Sequence, residues 1–273
     1  MTTQAVEALQ LIHEQVQDLL PRISADDWSK PSGCAGWRVQ DVLAHVSSNM
    51  KEIVDPSPPP PESAPDMGAE AAMEALVSPR RDWTVAALTA EYDASVDGWL
   101  AAMSAMQEEP TASTVAPLAD LGEYPLHMVA NAFAFDHYCH LYIDVLAPDG
   151  PLALDVAEPS HDMVRPGIEW MLAGVPRMQP TEMAALITEP LELRLTGPGG
   201  GTWMLLPARE DGLIEVSEAS EQGDERGDAA ATITSSSHDF VSWGTKRADW
   251  RSTCSIEGNA AYAESFLDTI DII

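Results

Sequence analysis

The stretch 132–144, AFAFDHYCHLYID, sets Asp136, His137, His140 and Asp144 inside an otherwise apolar run. On a helix turning about 100° per residue, Asp136 and His140 share one face with Val129, Phe133 and Ile143, in the middle of the apolar stripe. His137 falls roughly 100° away and reads as peripheral. An unpaired carboxylate in such a stripe is expensive to desolvate or becomes protonated, so something must compensate Asp136. A buried Asp–His pair, extended by Asp144, would do so and fix helix register. A metal ion would do so as well, because positions i and i+4 bring a carboxylate and an imidazole to one face. His45, in DVLAHVSSN, lies at the edge of another apolar stripe with Asn49 one turn on. Facing helices of a bundle build metal sites from such residues. Two nitrogens and one oxygen leave a coordination position open, as catalytic zinc sites do. The spacing alone leaves the structural pair and the metal both standing.

The elements that must position these groups are mostly helical. Val6, Leu9, Ile12, Val16 and Leu19 recur at three- and four-residue spacing, a helix closed by Pro21. WSKPSGCAGW reads as a loop, and a second helix runs from about Arg38 with Val39, Val42, Leu43, Val46, Met50 and Ile53 as its stripe. DPSPPPPESAPDMG then excludes helix and central strand and reads as an extended loop. Further helices are expected over about 84–106, 124–146 and 160–172, the last with Pro166 near a kink or its start. After about Met178 the pattern alternates. LELRLTG and TWMLLPA form a hairpin around GPGGG, which reads as a plain turn because no Lys-Ser/Thr helix follows it. GLIEVSEA and ATITSS read as strands, with SEQGDERGD as a solvated turn between them. SHDFVSWGTKR is a helix opened by a serine cap, STCSIEG a short strand, and NAAYAESFLDTID a helix capped by Asn259. The expected class is α+β with two domains, a helical bundle over 1–178 and a small α+β domain over 179–273.

With 44 acidic against 14 basic residues the net charge is −30 over 273 residues, which disfavours nucleic acid and anionic membrane surfaces as partners. The first twenty residues lack a basic leader, and no run approaches the roughly 20 apolar residues of a membrane span. Cys34, Cys139 and Cys254 are odd in number and far apart, suggesting neither a disulfide scaffold nor a zinc ribbon. A cytoplasmic protein in a reducing compartment is the expectation.

WSKPSGCAGWRVQDVLAHV resembles a segment of the mycothiol-dependent maleylpyruvate isomerase family, with Trp28, Pro31, Cys34, Gly36, Trp37, Asp41, Ala44 and His45 in register. The resemblance extends over 124–147 and, more loosely, to ATITSSSHDFVSWGTKR after residue 180. Members of that family are DinB-like metal-binding four-helix bundles, often followed by a small domain resembling sterol-carrier proteins. The resemblance implies that His45 is the second-helix ligand and that Asp136 and His140 stand for the carboxylate and histidine of the family's E-x-x-x-H. Asp in place of Glu is a departure that draws the carboxylate back by one methylene.

The implied cofactors are a divalent metal, zinc before nickel or iron, and the thiol mycothiol. The implied reaction is addition of the activated thiol to a small electrophile, giving cis–trans isomerisation or S-transfer, with no cysteine of the chain required. Arg247 is the implied catalytic cation, with Lys246, Arg38 and Arg165 as other candidates for binding an anionic substrate. Two alternatives remain beside it: a non-catalytic ligand- or protein-binding module with a structural Asp/His pair, and a metal-dependent hydrolase.

Overall fold

Leu9 and Ile12, both fully buried, mark the core-facing side of α1 (Gln4–Leu19) in the computed structural model, which describes residues 3–58, 67–219 and 228–272. Helix α2 (Val39–Val54) starts at a capping box: the Asp41 carboxylate accepts the Arg38 backbone N–H at 2.9 Å and two guanidinium N–H groups. Helices α3 (Ala69–Val77) and α4 (Val85–Ala105) both pack on α2, with Thr84 capping α4 through the Ala87 N–H. A short antiparallel hairpin of β1 (Val115–Pro117) and β2 (Glu123–Pro125) leads into α5 (Met128–Cys139), which packs on α1. The expected start of this helix at 124 is corrected, because Tyr124 and Pro125 pair with β1. From His140 to Val145 the helix continues with π-helical winding. Most of the proline-rich loop (59–66) and most of the acidic turn (220–227) lie outside the described residues.

The chain divides into two compact units, Met1–Glu158 and Pro159–Ile273, some twenty residues before the change in sequence pattern near 178. The reason lies in α6 (His161–Met178). It carries both Pro166 and Pro176, is capped by Ser160, and packs on elements of the second unit. After α7 (Pro180–Leu186) comes a five-stranded sheet in the order β5-β4-β3-β6-β7, formed by β3 (Leu191–Thr196), β4 (Gly201–Leu206), β5 (Glu215–Glu218), β6 (Ala231–Ser236) and β7 (Ser255–Gly258). Only the β3–β6 pair is parallel. Leu191, Leu193 and Leu195 alternate inward, as period two requires. The expected hairpin is present, and Gly197 and Gly199 take φ of 80° and 75° in its turn, a backbone that suits glycine. Helices α8 (Ser237–Gly244) and α9 (Ala260–Thr269) carry the Ser236 and Asn259 caps. A helical region followed by a sheet-containing region is thus the fold, as the sequence pattern implies. Among the described residues, no helix is long and apolar enough to cross a membrane.

Candidate metal centre

The loop 31–38 folds back on itself before α2. Pro31 bridges Arg38, the Ser32 N–H donates to the Trp37 carbonyl at 2.9 Å, and Gly36 turns the chain at φ 82°. This turn sets Trp37 against the imidazoles: its ring lies 5.0 Å from that of His45 and 5.9 Å from that of His140. Its indole N–H donates to Glu74 on α3, which fixes the ring. Nearly two turns into α2, buried His45 points toward α5.

His45, Asp136 and His140 converge. Each offers a ligand atom, and the three atoms lie within 4.8 Å of one another. His45 Nε2 is 3.0 Å and His140 Nε2 3.4 Å from Asp136 Oδ1. Ligand atoms about 2.0–2.1 Å from a shared tetrahedral ion lie roughly 3.3 Å apart, so the separations of Asp136 Oδ1 from the two imidazoles suit a divalent cation. The site is not sealed, since a quarter of the Asp136 side chain is exposed. Asn49 Nδ2 approaches His45 Nε2 at 3.2 Å.

Beneath His140 the winding changes. His140 Nδ1 and Asp144 Oδ2 are 2.7 Å apart, and Asp144 is fully buried. A carboxylate behind a ligating histidine fixes the tautomer and turns Nε2 toward the ion. Gly33 supports this arrangement. Its N–H donates to the Asp144 carbonyl at 2.8 Å, and a Cβ at residue 33 would stand 2.8 Å from Asp144 Oδ1 and 2.9 Å from its Cα.

The electrostatics follow from burial and these pairs. Burial outweighs the pull of Asp136 on His45 and lowers its pKa. Burial works against a charged His140 as well, but Asp136 and Asp144 together lift it to about 9. Burial disfavours the Asp136 carboxylate, yet His45 and His140 hold it well below the usual carboxylate range. Three buried polar atoms at the centre, His45 Nδ1, Asp136 Oδ2 and His137 Nε2, have no hydrogen-bond partner among the described residues. Such groups cost about 1–3 kcal/mol each when left unsatisfied.

His137 is not peripheral. It is 4% exposed, stacked on Trp99 at 5.0 Å, and its Nε2 is 3.9 Å from Asp136 Oδ2. Burial depresses its pKa to about 4. The helical wheel misplaces it because α5 is buried on most of its circumference and has no single apolar face. Trp37 and Asp144 also belong to the centre. The GW dipeptide and the His-x-x-x-Asp spacing were the available signals for them.

The candidate cations are engaged within their own unit or belong to the second unit. Arg38 is bidentate to Asp41. Arg165 pairs with Glu169 and Glu218 and stacks on Trp203, in the wall of a cavity of about 450 Å³ within the second unit. Lys246 donates to the Asp268 carbonyl, and Arg247 follows it in the exposed turn after α8, also in the second unit. Cys34 is half-buried in the loop before α2, and Cys139 is buried in α5.

Residues 9–142 match the family described as the mycothiol maleylpyruvate isomerase N-terminal domain. Among curated proteins, none matches the chain. Two solved structures share its fold: a mycothiol-dependent maleylpyruvate isomerase (TM-score 0.54) and a point mutant of a mycothiol-dependent maleylpyruvate isomerase (TM-score 0.55). Each is 16% identical to this chain, with 94% of this chain and 96% of that one aligned. The loop before α2, the three converging side chains and the matched segment agree, and residues 9–142 belong to the family described as the mycothiol maleylpyruvate isomerase N-terminal domain.

Proposed function

We propose that this chain is a mycothiol-dependent metalloenzyme in which a thiol adds to a small electrophilic substrate, with cis–trans isomerisation or S-transfer as the outcome. The observation that carries the reading is the convergence of His45, Asp136 and His140 from two helices at separations suited to one ion. Two imidazoles and a carboxylate favour zinc, with a position left for a further ligand. A bound divalent cation would stabilise a thiolate and so supply the nucleophile at neutral pH. The protein's own groups do the rest. Asp144 holds the His140 ring with Nε2 toward the centre. Trp37 lies against both imidazoles. Arg247 takes the role of the cation that binds a substrate carboxylate, on the strength of the family resemblance of its segment alone. The partners are small molecules, and the net charge of −30 argues against nucleic acid and anionic membranes. The cytoplasm, with its thiol pool, is the compartment that suits this chemistry.

A second reading rests on a specific observation. His140 sits between Asp136 and Asp144 and compensates both without an ion, as a structural pair in a non-catalytic module would. Metal analysis of protein purified after growth with zinc, nickel and iron separates the two. Stoichiometric metal, together with turnover that requires added thiol, is the expected result. Protein without bound transition metal overturns the proposal in favour of the structural pair, and turnover without thiol would move it to a hydrolase.

A further inference from the structure

Asp136 divides its two oxygens. Oδ1 faces His45 and His140, at 3.0 and 3.4 Å. Oδ2 is buried and has no hydrogen-bond partner among the described residues. His137 Nε2, a group of complementary type, lies 3.9 Å away, itself buried and likewise without a hydrogen-bond partner among the described residues. The imidazole is held in place by its neighbours: Trp99 stacks on it at 5.0 Å and 29°, and the Phe133 edge meets it at 5.8 Å and 78°. An N–H···O bond needs about 2.9 Å between heavy atoms, so closing this contact takes a movement of about 1 Å.

We propose that His137 is a positioning residue for Asp136, its Nε2–H holding Oδ2 so that Oδ1 is presented to the ion. This rests on the metal-site reading given above. Donors behind a ligating carboxylate orient it and tune its strength as a ligand. The need is sharp here, because an aspartate arm is short and a small rotation carries Oδ1 out of reach.

The test uses the full-length protein, freed of metal and titrated with cobalt(II), with affinity and the visible ligand-field spectrum as readouts. His137→Phe keeps an aromatic ring against Trp99 and removes the donor, and His137→Gln restores a donor. The expected result is a loss of about 10–100-fold in cobalt affinity and an altered spectrum for the Phe variant, with partial recovery in the Gln variant. Wild-type affinity and spectrum in the Phe variant overturn the inference while leaving the metal site intact. Failure of the wild-type protein to bind cobalt overturns the metal-site reading itself and this inference with it. A measurement without substitution guards against misfolding: ¹⁵N NMR of the zinc-loaded wild-type protein should show His137 protonated at Nε2, and an Nδ1–H tautomer overturns the proposal.

Discussion

His140 Nδ1 lies 2.7 Å from Asp144 Oδ2, inside the stretch where α-helical winding gives way to π. The carboxylate is wholly buried, and its contact with the ring settles which nitrogen of His140 faces Asp136. π-Helical turns are concentrated at functional sites, where they re-aim side chains that an even helix would misplace.

Asp144→Asn keeps an oxygen that can accept from Nδ1–H but removes the charge. Metal affinity should fall about tenfold, and Asp144→Ala should fall toward a hundredfold, measured by competition with a chromophoric chelator. Unchanged affinity in both variants would mean that Asp144 does not support the site.

Ligand binding to the native state alone stabilises it by about 3 kcal/mol when the free metal is 100 times its Kd. For a chain of this size that corresponds to roughly 5–10 °C in Tm. Chelation of wild-type protein should therefore lower Tm by about this amount, and His45→Ala should remove the response to chelator. A His45→Ala protein that still responds as the wild type does places the stabilising ion elsewhere.

Gly33→Ala should destabilise the first unit by about 1–3 kcal/mol, because the added methyl meets the backbone of Asp144 at 2.9 Å and cannot be accommodated by a side-chain rotation alone. Metal affinity should drop with stability, since the same clash displaces the carboxylate behind His140. Denaturant unfolding and metal titration of one preparation measure both.

Asp41 provides the pH test. Burial by itself would raise its pKa, but hydrogen bonds from the Arg38 side chain and backbone outweigh that and hold it below the ordinary 3.8. A carboxyl depressed in the folded state contributes stability that is present above its unfolded pKa and lost as pH falls through the folded value. Acid unfolding below about pH 4 should thus carry an Asp41 component, which Asp41→Asn removes. The variant should be less stable than the wild type at pH 7, and the gap should narrow toward pH 3. A gap independent of pH would show that the capping box acts through geometry alone.

Asp136 and His140 were legible because their spacing is local on one helical stretch, and His45 because the loop motif before α2 carries it in register. The hairpin of the second unit was legible for a similar reason, since Leu191, Leu193 and Leu195 alternate within one short strand. What escaped depends on tertiary context. His137 escaped because a wheel assumes one buried side, and α5 is covered nearly all round. The pairing of Tyr124 with Ala116 escaped because nothing in the local pattern separates a two-stranded hairpin from the first turn of the next helix. Helix α3, after the proline-rich segment, presents Val77 as its only fully buried residue and so leaves almost no apolar stripe to read. The winding at 140–145 leaves no trace in composition at all.

That winding makes the centre sensitive to chain length as well as to chemistry. A π turn accommodates one residue more than ordinary helical geometry would. Deleting a single residue from 141–143 would let the winding return to regular pitch and leave the aspartate three positions after His140 instead of four. The present contact of Asp144 with His140 and the seam between Asp144 and Gly33 are both set to the longer count, so neither keeps its geometry. Moving the α5 half of this centre onto another helix therefore requires carrying over the spare residue, so that the support behind His140 travels with the two ligands.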